Sequence, residues 1–296
     1  MKLTGVFAPV PTPFGDDDRL DVTRLRAAFQ WWVASPLTGI VVLGSNGEAV
    51  FMDDDECDRL VGEARPLVPG NRPFVVGTGR ESTRAAIRAA KRAAELGADA
   101  VLVRTPGFFK SQMTGDAFFR HYTAVADASP VPVLLYNFAA LTGVNLLPST
   151  VARLAEHPNI VGMKESGSDI AQIADLVSST PKRFSVLAGS GSTFFSALCA
   201  GVSGGILALA ALLPEPCLRL FELVQNSRYD EARALQQRLT PIARMLSSEY
   251  GVPGLKAALS IVGCDVGRPR PPLAPISETA VAAVKDTLTR FEAVNA

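Results

Sequence analysis

The chain has 296 residues, 48% of them apolar, enough to bury one large core or two ordinary ones. Lysine plus arginine (29) balances aspartate plus glutamate (29), so the net charge is close to zero. Nucleic acid and anionic membranes both call for a basic face, so neither is expected as the main partner.

The first segment, "MKLTGVFAPVPTPF", has a short apolar run interrupted by Pro9, Pro11 and Pro13, with no small-residue cleavage site after it. A signal peptide is not expected. Eight short apolar runs follow one another: "GVFAPV" (from Gly5), "GIVVLG" (Gly39), "PFVVGTG" (Pro73), "AVLVRTP" (Ala100), "PVLLYN" (Pro132), "IVGMKES" (Ile160), "FSVLAGS" (Phe184) and "GGILALA" (Gly204). They are rich in Val, Ile and Leu without clean alternation, the pattern of strands buried on both faces. The last of them opens the longest apolar run, "GGILALAALL", which is too short to span a bilayer.

Amphipathic segments separate the runs. "ESTRAAIRAAKRAAELGAD" has Ser82 or Thr83 as an N-cap and Gly97 as a C-terminal stop. "TGDAFFRHYTAVAD" places Phe118, Tyr122 and Val125 on one face. Strands alternating with helices imply parallel βαβ units, and eight of them predict a (β/α)8 TIM barrel over residues 1–225. A doubly wound sheet is the alternative, but the first turn, "VPTPFGDDD", lacks the glycine-rich dinucleotide fingerprint. Residues 226–296 read as a C-terminal helical extension packed on the barrel. In it Ala232, Leu235, Leu239, Ile242 and Leu246 recur at three-four spacing, with a kink expected at Pro241.

Four dispersed cysteines (Cys57, Cys199, Cys217, Cys264) suggest buried thiols in a reducing cytoplasm rather than disulfides. The two histidines, His121 and His157, sit in helical patterns and read as structural, so no metal site is expected.

Active sites of such barrels lie at the C-terminal strand ends. Strand six ends in Lys164, one of only seven lysines. Two-residue alternation puts Ile160, Gly162 and Lys164 on one face, and Val161 and Met163 on the other. If the first set faces inward, burial favours a neutral amine that attacks carbonyls. An ion pair with Glu165 or Glu48 is the alternative. Tyr136, ending strand five, either packs its ring or carries protons beside an imine. In "GSNGE", Gly44 and Gly47 permit a tight turn that leaves the amides of Ser45 and Asn46 facing an anion, unless the loop is an ordinary turn. "AGSGS", Ala188 to Ser192, is either a phosphate loop or a helix start capped by Ser190 or Ser192.

Together, "PVPTPF", "GSNGE", "VGTG", "YNFAALTG" and "GMKES" resemble the dihydrodipicolinate synthase / N-acetylneuraminate lyase family over nearly the whole chain. The resemblance implies a (β/α)8 barrel forming an imine between the strand-six lysine, here Lys164, and a 2-oxo acid, usually pyruvate. It implies Tyr136 as proton relay, Ser45 and Asn46 as carboxylate binders, no other cofactor, and a homotetramer (a dimer of dimers). Ser166, Gly189, Leu141, Phe109 and Ile206 complete the expected substrate-binding set. "GSNGE", "HPNIVGMKESG" and "GVPGLK" look most like 4-hydroxy-2-oxoglutarate aldolase. Two departures bear on substrate. Leu141 stands where the synthases carry an arginine for their second substrate, and Phe108-Phe109 replaces a tyrosine pair. The expected activity is a class I aldolase making or cleaving a 2-oxo acid from pyruvate and an aldehyde. Its rivals are the lysine-pathway synthase, disfavoured by Leu141, and a 2-oxo-acid sensor without turnover. Lys110 is either a binder of a distal carboxylate or a solvated loop residue.

Overall fold

The computed structural model describes residues 2–293; the last three residues of the expected extension, Val294, Asn295 and Ala296, lie outside the described residues. Eight strands close into one parallel barrel in chain order. They are β1 (Gly5–Pro9), β2 (Gly39–Val42), β3 (Phe74–Gly77), β4 (Ala100–Arg104), β5 (Val133–Asn137), β6 (Ile160–Glu165), β7 (Ser185–Ala188) and β8 (Gly204–Ile206). Each lies within one of the eight apolar runs, or one residue off it.

Seven helices stand between the strands up to β7: α1 (Val22–Ala34), α2 (Asp54–Ala64), α3 (Thr83–Glu95), α4 (Gly115–Ala128), the one-turn α5 (Ala139–Thr142), α6 (Pro148–Leu154) and α7 (Ile170–Ser179). After β7 come α8 (Phe194–Cys199), α9 (Ala208–Leu212), α10 (Pro214–Gln225), α11 (Tyr229–Arg244), α12 (Gly251–Ile261) and α13 (Glu278–Ala293), with β8 between α8 and α9. The side chain of Ser82 caps α3, and Gly97 takes a positive φ of 93° beyond its end, as the pattern predicts. Phe118, Tyr122 and Val125 form the buried face of α4. Pro241 lies inside α11, and the helical ladder changes to one π turn at Met245–Glu249, four residues further on. No described helix is long and apolar enough to cross a membrane.

Two apolar layers result. An inner cluster, including Phe7, Val41, Val75, Leu102, Leu134, Leu187 and Ile206, fills the barrel. A larger outer cluster seals strands against helices, with Trp32 fully buried and its indole N–H donating to the Ala211 carbonyl of α9 at 3.0 Å. At the N-terminal end, the Leu3 amide donates to Ser185 Oγ at 3.0 Å, which closes the floor away from the site.

Strand β6 departs from simple alternation. Ile160 pairs with Val133, but Gly162 rather than Val161 pairs with Leu134, so Val161 is an extra residue in the ladder. Ile160 packs in the outer layer, while Val161 joins the inner cluster. Beyond the irregularity Met163 faces outward and Lys164, paired with Tyr136, faces inward. The expected grouping of Ile160 with Lys164 is therefore wrong for Ile160, and the bulge is the reason. Gly162 serves the approach of β7: a Cβ there would overlap the Ser185 carbonyl oxygen, which belongs to the neighbouring backbone. Gly162→Ala is expected to cost about 1–3 kcal/mol through forced displacement of that strand. A urea midpoint unchanged from the parent protein would refute this account.

Candidate active site

Lys164 is 4% exposed, and its Nζ lies 4.4 Å from the centroid of the Tyr136 ring. A cation–π contact of this kind suits an ammonium held in an apolar wall. Among the described residues it has no carboxylate partner: Glu165 turns outward, and Glu48 pairs with Lys256. The ion-pair alternative for Lys164 is thereby removed. Tyr136, 5% exposed, does not merely pack; its hydroxyl stands 2.9 Å from Ser45 Oγ. Strands β2, β5 and β6 thus bring Ser45, Tyr136 and Lys164 into one contiguous line.

The loop after β2 owes its shape to two unusual backbone positions. Leu43 and Glu48 adopt positive φ values of 56° and 54°, uncommon for residues with side chains. Leu43 turns against Gly77 of β3, where a Cβ would overlap the Leu43 carbonyl. The glycine of "VGTG" is what allows this close crossing. The amides of Gly47 and Glu48 close back onto Gly44 and Ser45 at 3.1 and 3.0 Å. Among the described residues, the amides of Ser45 and Asn46 donate to no protein acceptor, and both residues are half-buried. Two free N–H groups side by side form a small anion nest. The Asn46 side chain is already engaged, donating to Pro9 O at 3.3 Å, so its backbone is the group left for a ligand.

Sequence reasoning missed what holds this loop. Glu48, 1% exposed, forms a 2.7 Å ion pair with Lys256 of α12 and accepts the Arg270 amide at 2.7 Å. The Lys256 ammonium also donates to the carbonyls of Thr12 and Arg268 at 2.8 and 2.7 Å. Burial pushes Lys256 below the ordinary lysine value, while Glu48 opposes the shift. Arg270 in turn grips both carboxylate oxygens of Glu56 and stacks on Phe14. The one available signal was a lysine inside an otherwise apolar helical stretch, "GVPGLKAAL".

The remaining expected residues divide into two groups. Ile206 is 1% exposed in the inner cluster with Tyr136, and Ser166 packs its hydroxyl against Gly189, where any side chain would collide with it. That hydroxyl is buried without a protein partner, as suits a group waiting for a polar ligand. Leu141 and Phe109, by contrast, are 65% and 69% exposed, as is the adjoining Phe108 at 78%. Both lie on the surface of the single chain. The Glu81 carboxylate, held to Arg104 at 2.7 Å, accepts the amides of Gly107 and Phe108 at 3.0 Å and fixes that loop outward. Lys110 lies over Gly143, across the turn that follows Leu141.

Of the two readings of "AGSGS", the helix start capped by Ser190 or Ser192 is not seen, since neither serine side chain caps it. Ser190 Oγ and Ser192 Oγ face each other at 3.1 Å, and Gln236 of α11 ties the segment down by accepting from the Phe195 amide and donating to Gly191 O. Three cysteines are buried; Cys199, the last residue of the six-residue α8, is exposed, contrary to expectation, its helix burying Phe194, Ala197 and Leu198 instead. His121 hydrogen-bonds Thr83 at 2.9 Å and is pushed down to about 4 by burial, and His157 meets Asp127 at 3.0 Å. Among the described residues no group of three or more His, Cys, Asp or Glu side chains is arranged to hold a metal ion.

Residues 2–291 match the dihydrodipicolinate synthetase family. The chain is 36% identical to a 4-hydroxy-tetrahydrodipicolinate synthase of Exiguobacterium, over 98% of this chain and 99% of that protein. It is 35% identical to a probable mitochondrial 4-hydroxy-2-oxoglutarate aldolase of Emericella nidulans, over 94% and 92% of the two chains. The dihydrodipicolinate synthase of Acinetobacter baumannii, solved with pyruvate, superposes with a TM-score of 0.93 at 28% identity, covering 98% of this chain and 99% of that one.

Lys256→Met leaves Glu48 buried without its cation and is expected to cost about 3–5 kcal/mol. The double variant Glu48→Gln/Lys256→Met should recover part of that loss. Denaturant unfolding of both checks it; a single variant as stable as the parent would contradict the role of the pair.

Proposed function

The chain belongs to the dihydrodipicolinate synthetase family of class I lyases, and from that premise we propose that Lys164 forms the imine and that the substrate is a 4-hydroxy-2-oxo acid, cleaved to pyruvate and an aldehyde. The observation that carries this reading is the line from Lys164 Nζ through the Tyr136 ring and hydroxyl to Ser45 Oγ, ending beside two unpaired amides.

The chemistry follows the geometry. The 2-oxo acid carboxylate sits on the Ser45 and Asn46 amides, which sets C2 before the amine. Lys164 attacks C2, and loss of water gives a protonated imine. Tyr136, linked to Ser45, takes the proton of the C4 hydroxyl as the C3–C4 bond breaks. The electron pair of that bond flows into the imine, leaving an enamine and a free aldehyde. Protonation at C3 and hydrolysis return pyruvate and the amine. Condensation is the same path reversed. The imine supplies the electron sink, so the reaction needs no further cofactor.

The buried, partnerless Ser166 hydroxyl supports a polar distal substrate group. The relatives named as synthases favour a second reading, condensation of pyruvate with aspartate semialdehyde. Leu141 weighs against it, because leucine offers no paired N–H donors for a carboxylate. The exposed pair Phe108–Phe109, edge to face at 5.1 Å, supports burial against a second copy and hence the homotetramer. The four dispersed free cysteines support a reducing compartment, the cytoplasm, as the place of work.

Borohydride reduction in the presence of pyruvate is expected to add the reduced pyruvyl group to Lys164, read by peptide mass spectrometry, and Lys164→Ala should abolish it. An adduct elsewhere, or none, would sink the imine assignment; an adduct without aldehyde release from any 2-oxo acid would indicate a sensor. Tyr136→Phe should lower kcat by about 10²–10⁴-fold, the usual worth of a general acid–base. 4-Hydroxy-2-oxoglutarate should be cleaved faster than aspartate semialdehyde is condensed, and the reverse order would favour the synthase.

A further inference from the structure

Behind the two reacting side chains, on the outer face of the barrel, lies a second pair in the same register. Tyr136 is opposite Lys164, and the next residues, Asn137 and Glu165, are opposite each other. Both are 1% exposed. Asn137 Nδ2 donates to Glu165 Oε2 at 2.7 Å and to Asn145 Oδ1 at 2.7 Å, and its Oδ1 accepts the Leu146 amide at 3.0 Å. Glu165 also accepts from Gln172 Nε2 of α7 at 3.1 Å and from the Gly167 amide at 2.6 Å. Asn145 Nδ2 closes the ring by donating to Gln172 Oε1 at 2.7 Å. Two backbone bonds continue it: the Ser166 amide to Asn137 O at 3.0 Å, and the Gly189 amide to Glu165 O at 2.6 Å.

Among the described residues no cation lies within ion-pair distance of Glu165, and such a buried carboxylate is costly to keep. Burial pushes Glu165 above the usual carboxylate range, against the pull of its donors. An apolar residue would fill such a site more cheaply, so the acceptor must serve another end. Three N–H groups converge on it, from β5, from α7 and from the loop bearing Ser166. Lys164 and Tyr136 have no hydrogen bond to one another, so their spacing depends on the backbone that carries them. Productive geometry tolerates errors of only about 0.5 Å.

We infer that Asn137 and Glu165 are positioning residues: their hydrogen-bonded clamp sets the spacing of Tyr136 and Lys164 at the strand ends, and holds Ser166 toward the substrate. The inference rests on the roles of Lys164 and Tyr136 proposed above. The clamp touches no substrate and exchanges no proton with it. It acts on the proton-transfer and bond-breaking steps, which need both side chains at once, more than on binding to the Ser45 and Asn46 amides.

The two side chains are complementary enough to be exchanged. Glu165→Gln turns an N–H toward one of the three converging donors, and Asn137→Asp sets a second carboxylate against Glu165. In the double variant Asn137→Asp/Glu165→Gln, the amide at 165 donates to the carboxylate at 137, and rotation of the Asn145 and Gln172 amides satisfies the remaining partners. Each single variant is expected to lower kcat about tenfold or more, with KM for the 2-oxo acid within about threefold. The double variant should recover kcat to within about threefold of the parent, the non-additivity of groups acting as one. Borohydride trapping with pyruvate on the same samples separates the two levels of argument. A parent protein that traps pyruvate on Lys164, with folded single variants whose kcat stays within twofold, overturns the clamp alone. Losses that multiply in the double variant overturn it too. Where a single variant is poorly folded, recovery of both thermal stability and kcat by the double variant supports the clamp, and recovery of stability without kcat overturns it. No adduct in the parent protein would overturn both readings.

Discussion

One extra residue in β6 governs the site. In a closed barrel each strand must alternate between the filled interior and the helical layer, and a shift of one residue exchanges the two faces. Ile160 packs outward at the start of β6, so strict alternation would send Lys164 outward as well. Val161, unpaired in the ladder, changes the phase, and Lys164 enters the barrel opposite Tyr136 while Glu165 turns toward α7. The bulge therefore aims two groups at once: an amine toward the barrel interior and a carboxylate toward the helical layer. Bulges beside active sites are a recurrent device for re-aiming side chains.

The protein buries several ionisable groups, and each is accommodated differently. Lys256 and Glu48 neutralise one another, and the ammonium also donates to two backbone carbonyls. Glu165 has only hydrogen-bond donors. Lys164 has only an aromatic face. The order of decreasing satisfaction is also the order of approach to the reacting centre. Full pairing suits a group that must never change state, as the one holding the Ser45–Asn46 loop must not. Under-satisfaction suits one that, in the function proposed above, exchanges a proton for a carbon bond. Such a centre is tolerable only because the two shells behind it are closed.

Much of this was legible in the sequence. The eight strands announced themselves as apolar runs because a parallel barrel buries both strand faces. Lys164, Tyr136 and Ser45 stood out because strand ends are where this fold presents its chemistry. What escaped notice was long-range pairing. Nothing local to "GVPGLK" says that Lys256 meets Glu48, 208 positions earlier, since that contact is made by tertiary packing. The bulge escaped for a related reason: Val161 is left out of the ladder only because β5 is paired as it is. Asn137 and Glu165 were visible as neighbours of the reactive residues, but their mutual contact depends on that same register.

The departures from the family pattern fall where the fold constrains least. Lys164 and Tyr136, at 4% and 5% exposure, are enclosed by neighbours that would have to shift for any change of size. Leu141 and Phe109, at 65% and 69%, touch little within their own chain, so exchanging them carries a small folding cost. Under the function proposed above, such exposed positions let the second substrate change while the imine chemistry is held by packing. The same exposure explains why Phe108 and Phe109 are the least settled apolar groups of the isolated chain. Two adjacent rings held outward by Glu81 bury little of their apolar surface against their own chain.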